Sequence, residues 1–478
     1  MTTPAAARPP FPAEERRTAQ LASRLDGPLL LPGGAEYEAV CAGFNRCDEQ
    51  RPAMVVVAHG PDDVVTAVRH AAEHGLPVAV QATGHGPNTP ADGALLISTA
   101  RMDGFDIDPA ARTVRMDAGV RWRQVLDGAA PFGLAPLCGS SPLVGAVSYT
   151  LGGGLGLTSR KYGFAADHVR AMDVVTADGE LRHVTEERHP DLFWALRGGK
   201  GNFGVVVSME SELVPLSRLY GGALVFDGAH CAEVLHAWRA WTREVPEETT
   251  SSVALIRFPE WPELPEVLRG RFVVWVRVAH LDRDADGESD GSGERLVEPL
   301  RRVAPVLLDT VCDMPFTESG TIHSDPEAPG PWHERTALLD RLEEETVDAL
   351  LAGAGAESGS GLMVVELRQM GGALARPPAV PSAVSHRDAA FTVFAIKPAA
   401  PEEAAEAGAE LEGLMDALEP WTTGGTFVNF MTGSYAAGAA EDAYDPAAYR
   451  RLTALKSLYD PGNVFRFNVN IPPRATGG

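Results

Sequence analysis

VQATGHGPNTPADGALLISTARM, residues 80–102, decides how the rest of the chain is read. An apolar strand, Val78 to Val80, enters this stretch and a second one, Ala94 to Ile97, leaves it. Between them Gly84 and Gly86 bracket His85, and the polar turn Pro87-Asn88-Thr89-Pro90 follows. Glycine lets the backbone turn sharply and approach a ligand closely because no Cβ intervenes. Successive backbone N–H groups in such a turn form an anion-binding hollow. An imidazole held there, at the end of a strand, suits a reactive or ligand-attached group. The alternative is a strand-to-strand turn with an incidental histidine.

Upstream, MVVVA (54–58) reads as a strand and Pro61-Asp62-Asp63 starts a helix with an acidic first turn. That helix stops at Gly75, and LPVAV is the next strand, so a strand-helix-strand unit feeds the histidine turn. FDIDPAARTVRMDAG (105–119) carries two strand-like pieces, and Val120 to Ala129 is helical in pattern. The stretch CGSSPLVGAVSYTLGGGLGLTSRKYGFAAD (138–167) holds too much glycine for an interior helix or strand. It suits backbone lying against a bulky anionic cofactor, or else a flexible surface loop. It contains neither G-x-G-x-x-G in a strand–helix setting nor G-K-[ST], so it fits neither the Rossmann fingerprint nor the P-loop. Val169–Thr176 and Glu180–Val184 read as a hairpin, and a second glycine cluster, RGGKGNFG (197–204), leads into the strand VVVSMESELVP.

Beyond Pro215 the texture changes. Strands GGALVF, RFVVWVRVAHL, GLMVVELRQ and AAFTVFAI alternate with helical AEVLHAWRAWTREV, GERLVEPLRRV, RTALLDRLEEETVDALLA and EEAAEAGAELEGLMDAL. This alternation argues for one sheet with helices on one face. The acidic stretch 282–294 reads as a solvated connection. A C-terminal helix then stops at Asp460-Pro461-Gly462.

With 478 residues the chain is long for one core, and two domains are expected. The net charge of −24 disfavours nucleic acid and anionic membrane as partners. No apolar run approaches the roughly 20 residues of a membrane helix. The N-terminal MTTPAAARPPFPAEERR lacks the pattern of a secretory signal. Five scattered cysteines without C-x-x-C suggest neither a disulfide framework nor a metal site. A cytoplasmic protein with reduced thiols is the simplest account.

Six stretches in order carry a resemblance: ATGHG (82–86), SPLVGAVSYTLGGGLGLTSRKYG (141–163), DLFWALRGGKGNFGVV (191–206), ELRQMGGA (366–373), HRDAAF (386–391) and YDPGNVFRFNVNIPP (459–473). The chain resembles FAD-linked oxidases of the vanillyl-alcohol-oxidase superfamily with a PCMH-type FAD-binding domain. Within them it is similar to the berberine-bridge-enzyme and 6-hydroxynicotine-oxidase branch. The resemblance implies an α+β fold: a discontinuous two-subdomain FAD domain (1–215), a substrate domain of one antiparallel sheet covered by helices (216–424), and a C-terminal segment (425–478) returning to the FAD domain.

It also implies FAD as cofactor, with a single covalent attachment at His85 to the flavin 8α-methyl. The matching cofactor-binding positions are Ala82, Thr83, Gly84, Gly86, Pro87, Ser141, Val144, Gly145, Gly152, Gly154, Gly156, Asp167, Val206, Asn468 and Asn470. Relatives with a second attachment carry Cys-Pro-x-Val-Gly where this chain has Ser141-Pro142-Leu143-Val144-Gly145. Cys138 lies three residues too early for that role and reads as a small buried residue. Many relatives place a tyrosine before the Val-Asn of the tail as part of the proton-accepting machinery. Here Phe427 stands in that place.

A base must sit within hydrogen-bond reach of the substrate. Glu366, Asn429, Arg368 and Tyr149 are the catalytic candidates, with Gln369, His323 and Tyr435 beside them. Glu366 reads either as a desolvated base, its pKa raised by burial, or as one half of an ion pair with Arg368 or Arg387. His323, in a Pro-rich loop, reads as a surface residue. The expected activity is removal of hydride from an alcohol, amine or activated C–H of a small metabolite, with O2 as electron acceptor, in specialised metabolism. The alternatives are an FAD-scaffolded cyclase without net redox change and a non-catalytic flavin-binding module.

Overall fold

The computed structural model describes residues 13–86, 89–282, 289–431 and 438–474. Pro87, Asn88, Tyr435 and residues 283–288 of the acidic stretch 282–294 lie outside the described residues. Leu29–Leu30 (β1), Met54–Val57 (β2), Val78–Gln81 (β3) and Leu95–Ser98 (β4) form a sheet in the order β1-β2-β4-β3. Both β2 and β3 run parallel to β4. The helix Pro61–His74 joins β2 to β3 and ends at Gly75, whose left-handed φ of 66° lets its N–H cap the last turn. Val64, Val68 and Ala71 from this helix pack on Leu95 and Ile97.

Next come Phe105–Asp108 (β5), Thr113–Asp117 (β6), Leu134–Ala135 (β7), Val169–Val175 (β8), Leu181–Thr185 (β9), Val205–Glu212 (β10) and Val214–Pro215 (β11). Five of them make an antiparallel sheet in the order β5-β6-β10-β8-β9, while β7 pairs with β11. The glycine-rich stretch is more structured than its composition suggests. A short helix, Ala146–Leu151, stands inside it with Gly145 and Gly152 at its two ends.

The large sheet holds Arg218–Asp227 (β12), Thr249–Arg257 (β13), Phe272–His280 (β14), Val306–Asp309 (β15), Cys312–Pro315 (β16), Trp332–Leu339 (β17), Val364–Gln369 (β18) and Phe391–Pro398 (β19). Its order is β15-β12-β14-β13-β18-β19-β17, with β16 also on β12, and every pairing is antiparallel. One face packs on helices Cys231–Trp241, Ser292–Arg301, Glu344–Ala354 and Ala404–Leu418 through Trp238, Val297, Leu350 and Leu411. The two-residue period of a strand puts Val365 and Leu367 on that face and Glu366 and Arg368 on the other. The helix read from Arg335 starts nine residues later, at Glu344. RTALL belongs to β17, because an apolar run this short carries no decisive period and its pairing with β19 settles it.

The tail is tied to the second glycine cluster by buried polar groups. Lys456 Nζ donates to the carbonyls of Asn202 (2.7 Å) and Phe465 (3.0 Å) and lies 2.8 Å from Asp460 Oδ2. The Asp460 carboxylate accepts from the N–H groups of Val464 and Phe465. Asn202 completes the knot, donating to Val469 O and accepting from Ile471 N. Both charged side chains are fully buried, so removing one partner strands the other. Lys456→Met is expected to cost about 3–5 kcal/mol in urea unfolding. Leu458→Ala, at an exposed position two residues on, is expected to stay within about 0.5 kcal/mol.

Candidate functional site

Because β3 and β4 are parallel neighbours, the connection at 82–94 must cross over, and none of its described residues is helical. Gly84 takes a φ of 69°, and a Cβ there would fall 2.7 Å from Gly43 Cα. Its carbonyl accepts from the N–H groups of Phe44 and Asn45. This close contact brings Phe44 onto His85, the two rings stacked with centroids 3.9 Å apart and 11° between planes. Thr83 Oγ1 lies 2.8 Å from His85 Nδ1, while Nε2 is buried with no partner among the described residues. Burial, helped by the Arg121 charge, pushes the imidazole pKa down to about 4. His85 is therefore neutral at pH 7 and keeps a lone pair.

The turn opens into a cavity of about 790 Å³, within the range of small-molecule and cofactor sites. Ala82, Thr83, Gly84, His85 and Gly86 line it, together with Ser141, Val144, Val206 and Asn468. A β-bulge after Val206 interrupts the pairing of β10 with β8 where Val206 meets the cavity. Gly86 has open space where a Cβ would stand. Asn468 and Asn470 each keep a buried carboxamide oxygen without a partner.

Six positions expected to touch cofactor behave differently. Gly145, Gly152, Gly154, Gly156, Asp167 and Asn470 are not among the lining residues. Gly145 precedes the helix Ala146–Leu151, and a Cβ there would stand 3.0 Å from Ser148 Oγ and in ordinary contact with the Ala82 methyl. A Cβ on Gly154 would press on the Tyr149 ring at 2.6 Å, so this glycine makes room for Tyr149, whereas a Cβ on Gly156 would first strike the Cys138 carbonyl oxygen at 2.2 Å, with the Tyr149 hydroxyl at 3.1 Å. At Gly152 a Cβ would collide with Asn429 Oδ1. The Asp167 carboxylate is turned to Arg387, at 2.6 and 3.0 Å. Pro87 lies outside the described residues.

All four catalytic candidates line the cavity. Asn429 Nδ2 donates to the Tyr149 carbonyl (2.8 Å). The Tyr149 hydroxyl is buried without a partner, and burial raises its pKa well above the usual phenol value. It stays protonated and can donate. On the large sheet, register places Glu366 opposite Ala254 on β13 and Phe394 on β19, with Arg277 one strand further along. Glu366 Oε1 accepts from Arg277 at 2.7 Å and Oε2 from Arg368 at 2.8 Å. Burial alone would raise its pKa, but Arg368 and Arg277 hold it well below the ordinary carboxylate range. Of the two readings of Glu366, the geometry is that of an ion pair. Arg387 is not its partner.

One residue was undervalued in the sequence reading and another escaped it. His323 is not on the surface: it is 8% exposed, its Nε2 lies 3.3 Å from Glu366 Oε1, and its Nδ1 has no partner among the described residues. Burial and the Arg277 charge lower its pKa, so the ring is neutral. Lys200 lines the cavity from the second glycine cluster, and burial lowers its pKa to about 8. A left-handed φ of 51° at a lysine between glycines is the local signal that could have flagged it. Phe427 packs against Phe164 and Phe430, and Cys138 is buried with its thiol pushed up to about 12 by desolvation.

A neutral nucleophilic imidazole, unpartnered carboxamide oxygens and a glycine cradle fit a flavin dinucleotide. Residues 52–185 match the model of the FAD-binding domain family, and residues 426–472 match the family described as berberine and berberine like. (R)-6-hydroxynicotine oxidase of Paenarthrobacter nicotinovorans is 29% identical over 95% of this chain and 98% of its own. An uncharacterised FAD-linked oxidoreductase of Bacillus subtilis is 26% identical over 94% and 98%. The solved structure of 6-hydroxy-D-nicotine oxidase from Arthrobacter nicotinovorans superposes with a TM-score of 0.81 at 26% identity, covering 94% of this chain and 98% of that one. Berberine bridge enzyme from Eschscholzia californica, at 18% identity and a TM-score of 0.79 over 96% and 99%, shares the fold. No helix among the described residues is long and apolar enough to cross a membrane. With an FAD-binding domain match at 52–185, a berberine-like match at 426–472 and a likeness to 6-hydroxynicotine oxidase along nearly the whole length, the chain is an FAD-dependent oxidoreductase similar to these relatives in sequence and fold.

Proposed function

We propose that this chain is an oxidase that takes a hydride from an alcohol, amine or activated C–H of a small organic metabolite, in a specialised pathway of a cytoplasmic setting. The observation that supports this reading is one continuous cavity running from the His85 turn to the Arg277–Glu366–Arg368 cluster. In this reading residues 1–215 and 425–478 hold FAD and 216–424 hold the substrate. His85 carries the flavin through a single covalent bond. Ala82, Thr83, Gly84, Gly86, Ser141, Val144, Val206 and Asn468 line its cradle. Gly145, Gly152, Gly154, Gly156 and Asn470 shape that cradle from behind. Bound FAD supplies a two-electron acceptor that O2 can reoxidise to give H2O2.

The substrate's proton needs an acceptor, and Phe427 offers none. His323 is the group suited to it: a neutral imidazole with a free nitrogen, backed by an ionised Glu366 that would stabilise the imidazolium. Glu366 acts through His323 as a positioning residue, and Arg277 and Arg368 keep it charged. The Tyr149 hydroxyl and the Asn429 carboxamide supply hydrogen bonds that orient the substrate.

Three outcomes follow from these roles. His85 loses its nucleophilic form only as pH falls through about 4, so covalent incorporation of FAD into apoprotein is expected to be level from pH 6 to 8. Acid-precipitated flavin absorbance reads it, and His85→Ala should incorporate none. His323 has a lowered pKa, so it stays deprotonated below the ordinary histidine value of about 6.5. The acid limb of kcat/KM should lie below that value and vanish in His323→Gln, with kcat down by about 10²–10⁴. Finally, O2 uptake should match product formation mole for mole. The absence of a phenol at Phe427 favours the cyclase alternative, and cyclised product without O2 consumption would establish it.

A further inference from the structure

One end of the cavity is walled by the connection between β13 and β14, residues 258–271. This segment is built rather than loose: Phe258 N donates to Arg271 O, Gly270 N to Pro259 O, and the Arg269 guanidinium to the carbonyls of Leu264 and Pro262. Its sequence, FPEWPELPEVL, sorts by side. Phe258, Trp261, Leu264 and Leu268 line the cavity, whereas Glu260, Glu263 and Glu266 do not and are exposed. Trp261 remains 54% exposed. Trp275 on β14 continues the apolar wall, its ring 6.0 Å from Phe258. Two residues along the same face of that strand, about 7 Å away, Arg277 begins the charged cluster.

A lone exposed tryptophan means little. Four apolar side chains turned into an open cavity by a segment that turns its carboxylates out form a contiguous apolar patch, and such patches mark binding surfaces. Sugar hydroxyls would find few side-chain partners there, because the lining side chains of this segment are apolar apart from the Trp261 indole N–H.

Resting on the oxidase reading above, we infer that this wall is a subsite for the apolar, ring-containing body of the substrate. The molecule oxidised is then amphipathic, with its polar reacting end within one or two bond lengths of the charged cluster and a hydrophobic remainder of at least one ring on Trp261, Leu264 and Phe258. An oligosaccharide is not accommodated.

The test titrates the holoprotein with 2-naphthol and with xylobiose, by calorimetry and by perturbation of the visible flavin band. 2-Naphthol is expected to saturate a single site and to bind about tenfold or more weakly in Trp261→Ala and in Leu264→Asp. Glu263→Gln, on the outward side, should leave it unchanged. Xylobiose should give no response at millimolar concentration. Unchanged naphthol affinity in both variants, or binding of xylobiose in preference to naphthol, overturns the inference. Trp261 is exposed, so its variant decides the matter if Leu264→Asp lowers the thermal midpoint. A preparation without flavin would sink the oxidase reading, while the calorimetric arm would still read the subsite.

Discussion

Two parallel strands side by side cannot be joined by a tight turn, and that constraint shapes this molecule. The link from β3 to β4 has to climb over the sheet end, and its described residues do so as loop. Such a loop keeps its shape only if something holds it. The contact of Gly84 with Gly43, closer than any side chain would allow, and the stack of Phe44 on His85 are what hold it. The imidazole is thereby dried, kept neutral and aimed into the cavity before any ligand arrives. Pre-organisation of this kind removes an ordering cost from binding and from chemistry alike.

The opposite wall follows a different logic. A sheet face normally hides apolar residues, yet β14 and β18 bury two guanidiniums and a carboxylate there. Their mutual pairing makes the arrangement tolerable, and it also fixes each group in place. A carboxylate pinned by two arginines is a poor base but a good orienter. That shifts attention from Glu366 to the neighbour it faces, His323. In the function proposed above the two walls divide the work: one would anchor cofactor, the other would position substrate and proton.

Much of this was legible because it is local. Glycines flanking His85, the proline-acid start of the helix at 61 and the Asp-Pro-Gly stop after the last helix each speak through backbone geometry that a few adjacent residues determine. The large sheet was legible in kind but not in membership. TTSSVALIR and WHERTALL become strands only through partners 15 to 116 residues away, and WHERTALL ran into a true helix that masked its end. The site was legible on the cofactor side and less so on the other. His323 looks like a surface residue in its Pro-rich loop until β18 is folded against it. Asp167, which the family resemblance placed at the cofactor, is claimed by Arg387 some 220 residues on. Gly154 and Gly156 do matter, but as room for the ring of Tyr149 and for the close-lying Cys138 carbonyl.

The central claim is that His85 is bonded to a flavin. Intact-mass spectrometry of the protein as purified, under denaturing conditions, tests it most directly. The account predicts a chain heavier by one FAD, with the added mass mapping to the peptide that contains Ala82–Gly86. A chain of unmodified mass, or a flavin bonded to any other residue, would contradict it.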